Sequence, residues 1–175
     1  PLDSAKIAND FLDESSSVNK ITTGGEAVHS TEQTKNGASS IKFDGNGDKL
    51  TANNSDFVFG TSDFTVEAWV YKLDTGLGFI FGQTDNNAGG RSGVAFGYQS
   101  GALWLLQGDG SSWSVETTQG TFPRNEWVHI AVSRDYSETK TYYFINGSLV
   151  YTYTSNVNLP ADNSGDISIG SINTA

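Results

Sequence analysis

The chain has 175 residues, enough for one domain with a substantial core, and 20 acidic against 10 basic residues give it a formal charge of −10. That charge repels phosphate backbones and anionic lipid headgroups, which disfavours nucleic acid and membrane surfaces as partners. With no cysteine in the sequence, disulfides, thiolate chemistry and Cys-based zinc sites are excluded as well.

No apolar run approaches the roughly 20 residues of a membrane-spanning helix. The opening Pro1-Leu2-Asp3-Ser4 lacks the basic and apolar segments of a signal peptide. Because the chain starts without Met, it reads as processed or as an excerpt of something longer.

The first 40 or so residues are polar and weakly patterned, with Ile7, Phe11 and Leu12 spaced for a short helix from Ser4 to Leu12. Ser40-Ile41-Lys42-Phe43 then alternates, Asp44-Gly45-Asn46-Gly47-Asp48 forms a turn, and Lys49-Leu50-Thr51 resumes an extended course, so a first hairpin is expected here. After a turn-rich approach comes a long strand, Phe64 to Tyr71. Phe64, Val66, Ala68 and Val70 share one face, which is core. The other face carries Thr65, Glu67, Trp69 and Tyr71, a mixture suited to a groove, a second packing layer or a surface shared with another chain.

Gly78 to Gly82 and Gly93 to Tyr98 are Gly-bounded apolar runs that read as interior strands on either side of a polar loop. Ser100-Gly101 makes a tight turn into Ala102-Leu103-Trp104-Leu105-Leu106, and Trp113 to Thr117 reads as an edge strand. Trp127 to Arg134 is a second long strand, followed by a clear hairpin of Lys140 to Ile145, the turn Asn146-Gly147, and Ser148 to Thr154 with Tyr151 and Tyr153 on one face. Asp166 to Gly170 is the last strand. Ten or more short strands without helical crossovers imply an all-β, antiparallel two-sheet sandwich of jelly-roll type, a single domain over residues 1–175 in which 1–10 form an arm or linker.

Catalytic chemistry finds little support. Glycoside hydrolysis needs a close pair of carboxylates, yet Glu67 is the one acid within its strand. His129, on a face with Trp127 and Ala131, reads as a structural imidazole. No Gly-x-Ser-x-Gly elbow occurs, Gly90-Arg91-Ser92-Gly93 failing the spacing, and phosphate-binding loops are absent. Asp44-x-Asn46-x-Asp48 copies the start of a helical calcium loop, but Lys49 stands where that loop needs Gly and Ser55 where it needs Glu.

Sugar binding has better candidates, because a flat ring stacks on the apolar face of a pyranose while polar neighbours take its hydroxyls. Trp113, flanked by Ser111, Ser112 and Ser114, leads; Trp104, Tyr98, Tyr151 and Tyr153 follow. For each, packing in the core or on a sheet is the alternative, and it is preferred for Trp69, Trp104 and Trp127. The sequons at Asn53 and Asn146 establish no secretory origin.

An ordered series of short motifs resembles a known family. Phe11, Asp13, Ser15 and Ser16 are followed by Ser30-Thr31, by Lys35-Asn36-Gly37-Ala38-Ser39-Ser40, and by Phe43-Asp44-Gly45-Asn46-Gly47-Asp48-Lys49-Leu50. With Phe64 to Tyr71, Trp127 to Arg134 and the Asn146-Gly147 strand end, the series resembles laminin-G-like modules of the concanavalin A-like lectin/glucanase superfamily, notably those of phage virion and bacterial surface proteins. Lys49 stands where the family usually has Tyr. The resemblance implies a non-catalytic module outside the cell. One reading is an adhesin contacting host surface polysaccharide; the alternative is a structural virion component, such as a head decoration, fibre or tail appendage, packing against sister subunits as a homo-oligomer. It also implies calcium held by acids from two loops, for which Asp85, Asn86 and Asn87 in one loop and Asp109 in another are the candidates. Such modules normally continue past an element like Ile169-Gly170 into a Phe-x-Gly-x-Ile-Asp-Glu-Val strand. Nothing matches it here, so the expectation is an open sheet edge, completed by further chain or by a neighbouring subunit.

Overall fold

Strands and turns account for all regular structure in the described residues of the computed structural model, namely 10–52, 57–85, 91–118, 121–154, 157, 159 and 166–172. The strands are β1 (Ile21–Gly24), β2 (Val28–Ser30), β3 (Ser40–Lys42), β4 (Lys49–Ala52) and β5 (Phe64–Tyr71). They continue with β6 (Gly78–Asp85), β7 (Arg91–Gln99), β8 (Ala102–Gly110) and β9 (Trp113–Thr117). Last come β10 (Trp127–Asp135), β11 (Lys140–Ile145), β12 (Ser148–Thr154) and β13 (Ile167–Ile169).

Two sheets face each other as an antiparallel jelly-roll sandwich. One has the order β1-β4-β13-β6-β7-β8-β9, the other β12-β11-β10-β5, and β2-β3 form a separate two-stranded ribbon. β9 lies at an edge and β6 and β7 are interior, as the sequence pattern predicts. The inward rows meet in a core of Val94, Phe96, Leu103, Leu105, Val128, Ile130, Val132 and Tyr143. Each fully buried side chain of this size contributes roughly 1.5–3 kcal/mol. At one end of the sandwich the buried Arg134 guanidinium donates to the carbonyls of Gly60 (2.6 Å) and Ser62 (2.8 Å) and to Gln107 Oε1 (3.2 Å), tying a loop and both sheets together.

The turns follow their residue types. Ser100 and Gly101 adopt φ of 51° and 85°, and Asn146 and Gly147 of 50° and 76°. Positive φ at both central residues is what a two-residue hairpin turn matched to strand twist requires.

The expected Ser40 to Thr51 hairpin does not form. β3 pairs with β2, whereas β4 pairs with β1 and β13 in the large sheet. The cause is Asp48, which is buried and whose carboxylate accepts the N–H groups of Asp44 (2.7 Å) and Glu26. These bonds hold the Asp44 to Asp48 turn against the β1–β2 corner and send β4 into another sheet. Of the expected helix, Ser4 to Asn9 lie outside the described residues, and Asp10 to Leu12 are not helical. Phe11 is buried instead, stacked on His29 at 4.4 Å in a satellite core with Ala27 and Leu50.

Candidate functional site

The outer face of the four-stranded sheet is built by the residues that alternate with the core. Since Val66 and Val70 of β5 and Val128, Ile130 and Val132 of β10 point inward, their neighbours point out. The register sets Trp69 opposite His129, Tyr71 opposite Trp127, Glu67 opposite Ala131 and Thr65 opposite Ser133. The facing rings meet edge to face, Trp69 and His129 with centroids 5.2 Å apart and Tyr71 and Trp127 at 5.6 Å. Glu67 Oε2 lies 3.6 Å from His129 Nε2.

The β11–β12 turn closes one side of this face. His129 N–H donates to Asn146 Oδ1 at 3.0 Å, and Asn146 N–H donates to the His129 carbonyl at 2.8 Å. This pair of hydrogen bonds pins the left-handed Asn146 to β10 and orients its amide. Trp69, His129, Asn146 and Gly147 thereby line an open depression of about 500 Å³. From the β2–β3 connection, Lys35 extends its ammonium to 3.9 Å from the Trp69 ring centroid. Trp69 nonetheless stays 40% exposed, contrary to the packing expected of it.

The depression joins an accessible indole, an amide and an imidazole, with the Glu67 carboxylate beside it, groups that can stack on and hydrogen-bond a polar ligand. The Thr65 and Ser133 hydroxyls bond each other at 2.9 Å and are not poised as nucleophiles. Among the described residues lining the depression there is no carboxylate, and Glu67 beside it has no acidic partner at glycosidase spacing.

The residues singled out from sequence are not brought together. Tyr98, Tyr151 and Tyr153 pack inward against the core. The Tyr98 ring meets Phe122 at 5.4 Å, and burial raises its phenol pKa, with Asp74 adding to the shift. Beside it Lys72, 2% exposed, donates to the Phe122 carbonyl at 2.7 Å and lies 4.3 Å from the Phe122 ring and 5.0 Å from that of Tyr98. Burial pushes the Lys72 ammonium below its ordinary pKa, and Arg124 pushes it the same way.

Trp104 is on the outer side of the seven-stranded sheet, because Leu103 and Leu105 turn inward, but it is only 7% exposed under the edge of Phe79. It offers no face to a ligand. Trp113 pairs with Gly108 on that same outer side and is half-buried.

For the acids proposed as calcium ligands, the register aligns Asp85 and Asp109 across Ser92. Asn86 and Asn87 lie outside the described residues, as do the Asp85 side chain and the Asn53 sequon. Asp109 Oδ1 already accepts three hydrogen bonds from Ser111 and Ser112 and Oδ2 a fourth, which hold its carboxyl far below the usual range. Among the described residues no three His, Asp or Glu side chains gather around a point. Of the calcium candidates, the described residues thus include only the Asp109 carboxylate.

Sequence reasoning placed Glu67, Trp69 and Tyr71 on a face suited to a groove, a second packing layer or a surface shared with another chain, and preferred packing for Trp69 and a structural role for His129. The available signal was the cross-strand match of that row to Trp127 and His129, together with a turn Asn directly after β11.

No curated protein matches the chain. Among solved structures, the botulinum neurotoxin serotype D binding domain superposes with a TM-score of 0.68 at 15% identity, over 93% of this chain and 42% of that one. A botulinum neurotoxin type C structure, described by the dependence of that toxin's cell entry on two ganglioside molecules, gives 0.62 at 15% identity over 93% and 41%. Domains LG4-5 of the mouse laminin α1 chain give 0.57 at 12% identity over 72% and 32%. The chain thus spans 32–42% of the length of these proteins, and the likeness is one of fold. Residues 44–175 match the sequence profile of a laminin-G family described as the concanavalin A-like lectin/glucanases superfamily, and by that match, over most of its length and on the sandwich just described, the chain belongs to this family.

Proposed function

We propose that the chain is a non-catalytic recognition module that works outside the cell, on a virion or bacterial surface, and contacts host surface glycans through the outer face of its four-stranded sheet. The observation that carries this reading is Trp69, an exposed indole in a depression bordered by Asn146, His129 and Glu67. An open depression suits one unit of a longer saccharide better than an enclosed small molecule. Kinship with binding domains, one from a toxin whose entry depends on gangliosides, supports a cell-surface ligand. The phage context rests on the Phe11 to Leu50 motif series.

A glycan array probed with the intact chain, in calcium and in chelator, tests this. Saturable binding that is lost in Trp69→Ala and indifferent to chelator is expected. Silence across the array from a folded protein would refute it and shift weight to the second reading.

That reading is a structural subunit that packs against sister copies. It is favoured by β5, an eight-residue strand at the end of its sheet with one backbone edge unpaired among the described residues. A concentration-dependent oligomer without glycan affinity would establish it.

A further inference from the structure

The β2–β3 connection is exposed from Thr31 to Ala38 and carries one acid and one base, Glu32 and Lys35. Glu32 is taken by Lys42 of β3 at 2.6 Å. Lys35 forms no ion pair among the described residues, and its contact is the Trp69 ring. A positive charge is therefore held over the stacking surface of the depression by its weakest kind of partner.

We infer that the depression takes a carboxylate-bearing pyranose, its apolar face on Trp69 and its carboxylate on Lys35. This deepens the recognition reading and rests on it. A cation held over an exposed ring gains by exchanging that ring for a charge-assisted hydrogen bond to a carboxylate. The same exchange uncovers the indole for the sugar. A neutral sugar displaces the ammonium and offers it only uncharged hydroxyl acceptors, so Lys35 favours the acidic one.

Nearby charges permit the anion. Glu67, two residues from Trp69 on the same face of β5, is set against His129 at 3.6 Å. The chain's charge of −10 is spread over the molecule and screened beyond about 8 Å at physiological ionic strength. Asn146 uses Oδ1 for the His129 N–H, which leaves its Nδ2 hydrogens as donors for a ring hydroxyl.

Calorimetric titration of the intact chain tests the inference with two pairs of probes, oligogalacturonate against its carboxyl-reduced counterpart and sialyllactose against lactose. Both carry the required chemistry, and the two acidic arms separate a uronic acid from a sialic acid as its source. The wild type is expected to bind one acidic probe about tenfold more tightly than its neutral partner. Lys35→Gln should erase that difference by weakening the acidic probe alone, and Trp69→Ala should abolish binding of both.

Equal affinities in the wild type, or a preference that survives Lys35→Gln, would overturn the inference. Neutral sugars binding alone, with loss in Trp69→Ala, would overturn the acidic class and leave the recognition reading standing. No binding by any of the four probes to a folded chain would overturn the inference, while the recognition reading falls only if the glycan array is silent as well.

Discussion

Two lysines of this domain rest on aromatic rings, and the difference between them separates scaffold from site. Lys72 is enclosed between Phe122 and Tyr98, with its ammonium on a backbone carbonyl. Burial disfavours its charged form and so lowers its pKa. Lys35 lies on one ring at the surface, on a loop of exposed polar residues. One charge is locked because removing it would leave a buried carbonyl without a donor; the other is replaceable because water or a ligand can take its place.

The sharpest way to break the comparison is Lys72→Ala. It opens a cavity and orphans the Phe122 carbonyl, so a loss of about 2–4 kcal/mol is expected in urea unfolding. A cost below 1 kcal/mol, by the same measurement, would mean that the buried lysine is no more structural than the exposed one. The enclosure itself can be attacked from behind. A Cβ on Gly78 would run into the Tyr98 ring, so Gly78→Ala should cost about 1–3 kcal/mol.

Alkaline titration sharpens the same contrast. The fold lowers the Lys72 pKa from 10.5, so between the lowered value and 10.5 the unfolded chain binds more protons than the folded one. Stability attributable to this group should therefore rise with pH across that window. Lys72→Met should flatten the rise, and a slope unchanged by the substitution would show that another group causes it.

What the sequence disclosed follows the same division between local rules and distant contacts. β5, β10 and the Asn146-Gly147 turn were legible because alternation and turn chemistry are local. The Ser40 to Thr51 hairpin was misread because Asp48 acts on Glu26, a contact that no window around the turn contains. β1 and β2 escaped because runs of four and three residues carry little periodicity.

At the candidate site the row Glu67, Trp69, Tyr71 was visible as a face. Whether a second layer covers it depends on the β2–β3 loop, whose path nothing near β5 encodes. Choosing aromatics by their serine-rich flanks favoured Trp113 and passed over Trp69. The tyrosines failed for a related reason, since Tyr98, Tyr151 and Tyr153 occupy inward positions that share their alternation with the core.

The smallest expected effect is the most discriminating. Lys35→Ala removes an exposed cation–π contact worth about 0.5–1 kcal/mol and frees a side chain whose ordering costs up to about 2 kcal/mol. These terms oppose each other, so unfolding in urea should change by less than about 0.5 kcal/mol. A loss above 1 kcal/mol would show that the β2–β3 loop is clamped to the sheet through Lys35, as the Phe122 segment is through Lys72. The ammonium would then be a structural clasp and unavailable to any ligand. Unchanged stability leaves the Trp69 face free at little energetic cost, the condition that a binding surface must meet and a core contact cannot.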